Sequence, residues 1–125
     1  MPGGELAMYL DELAEFARYA GVSALCRCSV TGELEVRRAT LFYDFCFTVF
    51  AWSVRDSRAS LIASLDRKDR LLVFRILSSE APDGPLFSEA FRSAVAELGG
   101  TVGVKTMDDG AGITLSLPEG GTADA

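Results

Sequence analysis

The sequence of 125 residues contains no histidine, and that absence excludes more than any single residue present implies. Without an imidazole the chain cannot be its own phosphohistidine carrier, cannot use a histidine base and cannot hold a Ser-His-Asp or Cys-His site. Basic residues are also few: 12 Lys and Arg stand against 18 Asp and Glu, for a formal charge of −6. That balance argues against a broad phosphate-binding face, so nucleic acid is not expected as a partner. No apolar run is long enough for a bilayer, since Leu41 to Val54 is broken by Asp44 and falls short of the roughly 20 residues a span needs. Met1 to Glu5 show no basic stretch leading into an apolar one, so no secretory signal is visible. A cytoplasmic location without membrane contact is the default expectation.

Cysteine is sparse and odd in number: Cys26, Cys28 and Cys46. An odd set in a chain with no secretory signal disfavours a disulfide framework. Cys26 and Cys28 are two apart and share one face of a strand, and Cys46 could add a third thiolate. Structural zinc takes a full tetrahedral ligand set, however, and no histidine exists to complete it. Buried, small, apolar cysteines are the expectation, with no metal site.

What the sequence does have is apolar mass, 49% of its residues, which is enough for one core in a chain of this length. Leu6, Tyr9, Leu10, Leu13, Phe16, Ala17 and Ala20 recur at helical spacing with Asp11, Glu12, Glu15 and Arg18 between them, a helix stopped by Gly21. Val22, Ala24, Cys26, Cys28 and Val30 alternate with more polar positions as a half-buried strand does, and Thr31-Gly32 turns it. A second helix runs from about Arg38 to Val54 and is apolar around most of its circumference. Leu61 to Leu65 and Leu71 to Leu77 read as an antiparallel hairpin through the turn Asp66-Arg67-Lys68-Asp69. Ser78 to Pro85 is a polar connection, Leu86 to Leu98 a third helix ended by Gly99-Gly100, and Thr101 to Thr106 and Gly112 to Leu117 a closing pair of strands about Asp108-Asp109-Gly110.

The order predicts an α/β (α+β) two-layer sandwich, with a mixed, mostly antiparallel sheet of about five strands and three helices on one face. Residues 6–118 form the domain, and 1–5 and 119–125 read as tails. Asp44 is expected at the exposed edge of its helix, and Arg55, Asp56 and Arg58 as a solvated cluster at that helix's end. Asp108-Asp109-Gly110 is an acidic turn without the further carboxylates a calcium loop needs.

The run Phe91-Arg92-Ser93-Ala94-Val95-Ala96-Glu97-Leu98-Gly99-Gly100-Thr101-Val102-Gly103-Val104, followed by Gly110-Ala111-Gly112-Ile113-Thr114-Leu115-Ser116-Leu117-Pro118, resembles the last third of sensor histidine kinase catalytic domains. That third is a helix, a Gly-Gly turn, a strand, and a closing G-x-G-[TI]-T strand that finishes in Leu-Pro. The resemblance implies the histidine-kinase-like ATPase fold (GHKL or Bergerat). It extends upstream by register from about Leu6, with its specific motifs confined to the last third.

The family's site residues do not follow the fold. Its central helix bears Glu-x-x-x-Asn and then a His-Ala pair, the glutamate a general base and the asparagine a magnesium ligand. An ungapped reading puts these on Phe47, Ala51, Arg55 and Asp56. Phenylalanine and alanine offer no lone pair to a proton or a hard cation. The family's Asp-x-Gly-x-Gly, which receives the adenine, corresponds to Ser78-Ser79-Glu80-Ala81-Pro82, where Ser78 could accept one hydrogen bond but Glu80 and Pro82 stand in place of glycine. Gly84-Pro85-Leu86 is faintly similar to the later glycine motif. The long lid between those motifs is reduced to Ser78 to Pro85, with no Lys or Arg for a γ-phosphate. Gly110, Gly112 and Thr114 keep the closing motif.

The resemblance therefore implies a degenerate, non-catalytic domain, a pseudokinase that binds neither ATP nor magnesium. It would act as a signalling or protein-interaction module of a two-component-type system, with a response regulator, a sensor kinase or a second copy as partner. Two readings of the aromatic helix stay open: Phe47 and Ala51 fill the old nucleotide cavity, or part of the face around Phe50 and Trp52 is left for a partner. Two other functions stay open as well. An ATP-binding kinase domain of the sensor or anti-sigma-factor type needs an acid or amide at Phe47 or Ala51. The docking domain of a histidine phosphotransferase needs a phosphohistidine hairpin outside this chain.

Overall fold

The computed structural model of the protein describes residues 1–120. In chain order the elements are α1 (Gly3–Tyr19), β1 (Ala24–Cys28), α2 (Val36–Trp52), a π turn (Ser53–Ser57), β2 (Leu61–Lys68), β3 (Leu71–Ser78), α3 (Glu89–Glu97), β4 (Thr101–Met107) and β5 (Gly110–Pro118). The strands form one sheet in the order β1-β2-β3-β5-β4, with β1 parallel to β2 and every other neighbour antiparallel. Helices cover one face only, giving the two-layer sandwich that the element order predicts.

The period of two in each strand decides which side chains meet those helices. Leu61, Ala63 and Leu65 of β2, Leu72, Phe74 and Ile76 of β3, and Ile113, Leu115 and Leu117 of β5 are all buried beneath them. α1 contributes Leu6, Leu10, Leu13 and Ala17 to that core, and α2 contributes Phe42, Phe45, Cys46, Val49 and Phe50. None of the helices among the described residues is long and apolar enough to cross a membrane.

Several boundaries differ from the sequence reading, each for a local reason. Residues 1–5, expected as a tail, are docked: the Met1 amino group donates to Glu33 (2.6 Å) and to the Leu34 carbonyl (2.8 Å), and Gly3 N–H to the Gly32 carbonyl (2.7 Å). Only glycine fits at position 3, where a Cβ would overlap the Val30 carbonyl. The β2–β3 turn is Asp69-Arg70 rather than Asp66 to Asp69; both residues have positive φ, 51° and 67°, as a tight two-residue hairpin requires. α3 starts at Glu89, three residues later than expected, because Ser88 caps it by accepting the Phe91 N–H at 3.0 Å. Glu119, placed in the C-terminal tail, is held by Arg67 (2.6 Å) and by the Arg70 carbonyl (2.8 Å). Residues 121–125 of that tail lie outside the described residues.

At the end of α2 the helix loosens into the π turn. The buried Ser53 hydroxyl donates to the Ala59 carbonyl at 2.6 Å, and Arg58, in the left-handed region at φ 59°, sends its amide to the Ser53 carbonyl at 2.8 Å. Its guanidinium reaches back to the Ala20 carbonyl at 2.9 Å. The three residues read as a solvated cluster, Arg55, Asp56 and Arg58, are all exposed, and Arg58 in addition clamps the π turn to the end of α1.

Candidate functional site

The face of α2 that looks toward α3 carries Asp44, Phe47 and Thr48. With Leu86, Phe87, Ser88 and Phe91 they line a groove of about 310 Å³. Ala51 follows Phe47 by one turn on the same face and is half-buried, and Arg55 follows Ala51, exposed, in the π turn. The three residues aligned with the lost base, magnesium ligand and histidine thus do lie in one column. Phe47, which one of the two open readings had filling the cavity, is 51% exposed.

A different phenylalanine occupies the interior. Phe87, buried, stacks on Phe45 of α2 at 5.4 Å between ring centroids and 11° between planes, and Phe91 of α3 stacks on Phe87 at 5.2 Å. Phe45 in turn packs on Phe74 of β3 at 5.2 Å. This aromatic column joins sheet, second helix and third helix, and it is anchored by the segment that leaves β3. The sequence reading missed it because it placed Leu86 and Phe87 inside α3. The N-cap signal of Ser88 followed by Glu89 would have put them in the connection instead.

Phe50 and Trp52, which one of the two open readings placed on an interaction face, are buried at 3% and 8% exposure. An interaction role through an open face there is not what the fold provides. Helical rotation is the reason: both lie with Phe42, Phe45 and Val49 on the side turned to the sheet and α1, while Tyr43, Asp44 and Phe47 face outward.

The remaining aligned positions do not gather on α2. Ser78 ends β3 with its side chain buried, and its hydroxyl donates to the Glu80 carbonyl (2.7 Å) and accepts the Glu80 N–H (3.2 Å). The hydroxyl is engaged by its own loop. Glu80 itself is exposed. Gly84 has no positive φ and open space where a Cβ would stand, so nothing there requires glycine. Gly110, at φ 144°, packs against Ser78, whose carbonyl a Cβ would overlap. Gly112 and Thr114 alternate with the buried Ala111, Ile113 and Leu115, and so belong to the uncovered face of the sheet, away from α2.

The charge of the groove is sparse and of one sign. Its lining contains no cation, and its one charged group is Asp44, whose carboxyl is pushed above its ordinary value by burial. Among the described residues, no three His, Cys, Asp or Glu side chains gather as a metal ion would need. The Cys46 thiol, raised well above its ordinary value by burial, hydrogen-bonds to Cys26, which that bond lowers, while burial raises Cys28.

A mixed five-stranded sheet with helices on one face, and a groove between the second helix and the connection into the third, defines the class: a histidine-kinase-like ATPase fold. No family model and no curated protein matches the sequence. Solved structures do. The blue-light-activated histidine kinase of Erythrobacter litoralis superposes with a TM-score of 0.71 at 14% identity, over 95% of this chain and 46% of that one. The catalytic domain of the histidine kinase ThkA gives 0.68 at 12% identity, covering 95% of this chain and 94% of that domain. Full-length ShkA in complex with AMPPNP gives 0.66 at 16% identity, over 98% of this chain and 31% of that one. The chain therefore has the fold of a histidine kinase catalytic domain, and it spans under half the length of the full-length kinases it resembles.

Proposed function

We propose that this chain is a degenerate GHKL-type (Bergerat) domain, a pseudokinase that works by contact within a two-component-type system and uses neither ATP nor magnesium. The observation that carries this reading is the stack of Phe87 on Phe45, which fixes an aromatic ring in the wall of the groove that Phe47 also lines. Three further features agree with it. Phe47 and Ala51 offer no base and no magnesium ligand, the Ser78 hydroxyl is engaged by Glu80, and the groove carries a carboxylate but no cation. ShkA is solved in complex with AMPPNP, whereas in this reading the residues beside α2 here do not take such a ligand.

The partner in this reading is a protein: a response regulator, a sensor kinase or a second copy. The working location is the cytoplasm, where such signalling proteins meet. Isothermal titration of the chain with ATP and magnesium tests the proposal directly. The expected result is no saturable heat. Tight, magnesium-dependent binding would overturn it and restore the ATP-binding kinase reading.

A further inference from the structure

The uncovered face of the sheet has its own organisation, separate from the α2 groove. Strand register lines up Leu25 of β1, Ile62 of β2, Leu77 of β3 and Gly112 of β5 in one row across the sheet, ending at Lys105 of β4. The three aliphatic side chains of that row are exposed at 60%, 56% and 44%. The next row is Arg27, Ser64, Arg75, Thr114 and Gly103. The two glycines leave a depression of about 300 Å³ at the β4–β5 end, bounded by Thr101, Lys105 and Thr114.

Charge is segregated on the same face. Arg27, Lys68, Arg75 and Lys105 all project from it, exposed, against the single carboxylate of Asp66, which accepts a hydrogen bond from Ser29 at 2.7 Å. None of the four cations enters a salt bridge among the described residues. A chain of net charge −6 thus turns a cationic, apolar-centred surface outward on its one uncovered layer. Contiguous exposed apolar side chains rimmed by charge mark protein contact sites.

We propose that this face is a docking surface for an acidic amphipathic helix of a partner protein, laid across β1, β2, β3 and β5. The spacing fits: neighbouring strands stand about 4.8 Å apart and a helix advances about 5.4 Å per turn, so each turn can set one apolar side chain on one strand. Crossing to β5 takes about ten helical residues, with the helix end over the glycine depression. Carboxylates along one flank of that helix meet the row of Arg27 and Arg75, which favours this partner by charge and speeds its encounter. A second copy of this face would instead bring cations against cations. Single-stranded nucleic acid would need aromatic platforms, and this face has none. The surface lies on the opposite layer from the α2 groove, so the proposal does not depend on loss of nucleotide binding.

The test is a nitrogen-15 NMR titration of the full chain with a synthetic helical peptide that repeats Leu at helical spacing among Glu residues. A peptide with Lys in place of Glu is the control. The expected result is saturable shifts at Leu25, Ile62, Leu77 and Gly112, absent with the Lys peptide and weakened by salt. The double variant Arg27→Glu/Arg75→Glu should bind about tenfold more weakly, and Ile62→Glu likewise. All three positions are exposed, and Leu77→Ser replaces either variant that fails to keep the parent's circular dichroism. Equal binding of both peptides, or of neither, overturns the proposal. So does self-association of the chain that Ile62→Glu abolishes, or attachment to phosphatidylserine vesicles without peptide binding.

Discussion

Phe45 and Phe87 stack with their ring centroids 5.4 Å apart and their planes 11° from parallel, and this contact binds α2 to the segment that precedes α3. Where the histidine-kinase family carries a long mobile lid, this chain has Ser79 to Ser88, with Phe87 turned inward and Ser88 capping α3 immediately after it. A segment fixed at its end by an aromatic stack and a helix cap is poorly suited to opening and closing over a ligand. The same contact that stabilises the fold ties this segment to α2, in keeping with the nucleotide-independent reading proposed above.

Replacing that ring tests its structural weight. Phe87→Ala should lower the stability of the chain by about 3–5 kcal/mol, because it deletes a buried ring with aromatic neighbours on two sides. Urea denaturation followed by circular dichroism reads the loss. Titration of the same variant with ATP and magnesium should still give no saturable heat, since a vacated ring position supplies neither base nor metal ligand. A variant as stable as the parent would show that the stack is incidental.

The sheet and its inward face were legible because alternation in β2, β3 and β5 is nearly uninterrupted, and a period of two leaves little freedom in register. The interior of the site was less legible. Helix α2 is apolar on so much of its surface that composition could not say which aromatics face the sheet, so a filled cavity and a partner face around Phe50 and Trp52 both stayed open until burial placed those two residues inside. The docking of residues 1–5 was hidden for another reason. It rests on a terminal amino group meeting Glu33 and on Gly3 against Val30, long-range contacts that leave no periodic trace.

Helical rotation of α2 yields a contrast between two aromatic residues five positions apart. Trp52→Ala should cost about 3–5 kcal/mol, as truncation of a buried indole does. Phe47→Glu, on the exposed face, should cost about 1 kcal/mol or less. Chemical denaturation of the two variants side by side settles the matter. The reverse order of effects would place Trp52 on the surface and Phe47 in the core.

Glycine at the start of β5 carries a similar contrast. Gly110 sits at φ 144° with the Ser78 carbonyl where a Cβ would go, so Gly110→Ala should lose at least about 2 kcal/mol. Gly112→Ala meets only ordinary contacts with Met107 and Leu77, at 3.8 and 4.0 Å, and Gly84→Ala meets nothing. Both should leave stability within about 1 kcal/mol of the parent. Thermal or urea unfolding of the three variants distinguishes a glycine the fold requires from a glycine that only a family motif would require. Equal losses at all three positions would contradict the close approach of β5 to the end of β3.

Asp44 gives the groove a pH dependence whose sign can be worked out. Burial raises its carboxyl above the ordinary 3.8, so in the interval just above that value the folded chain holds a proton the unfolded chain has released. Stability contributed by this group is therefore fully present below the ordinary value and is lost as pH rises through the raised one. Because Asp44 is largely exposed, solvent screens most of the cost of ionising it, and at neutral pH Asp44→Asn should unfold at only a slightly higher urea concentration than the parent. The advantage should shrink as pH falls into the acid range, where Asp44 itself takes up its proton. Denaturation midpoints of both proteins at neutral and acid pH measure the difference. A variant less stable at neutral pH, or a gap that ignores pH, would mean that Asp44 is stabilised by a partner rather than penalised by burial. The groove would then be a more hospitable place for a cation than its geometry indicates.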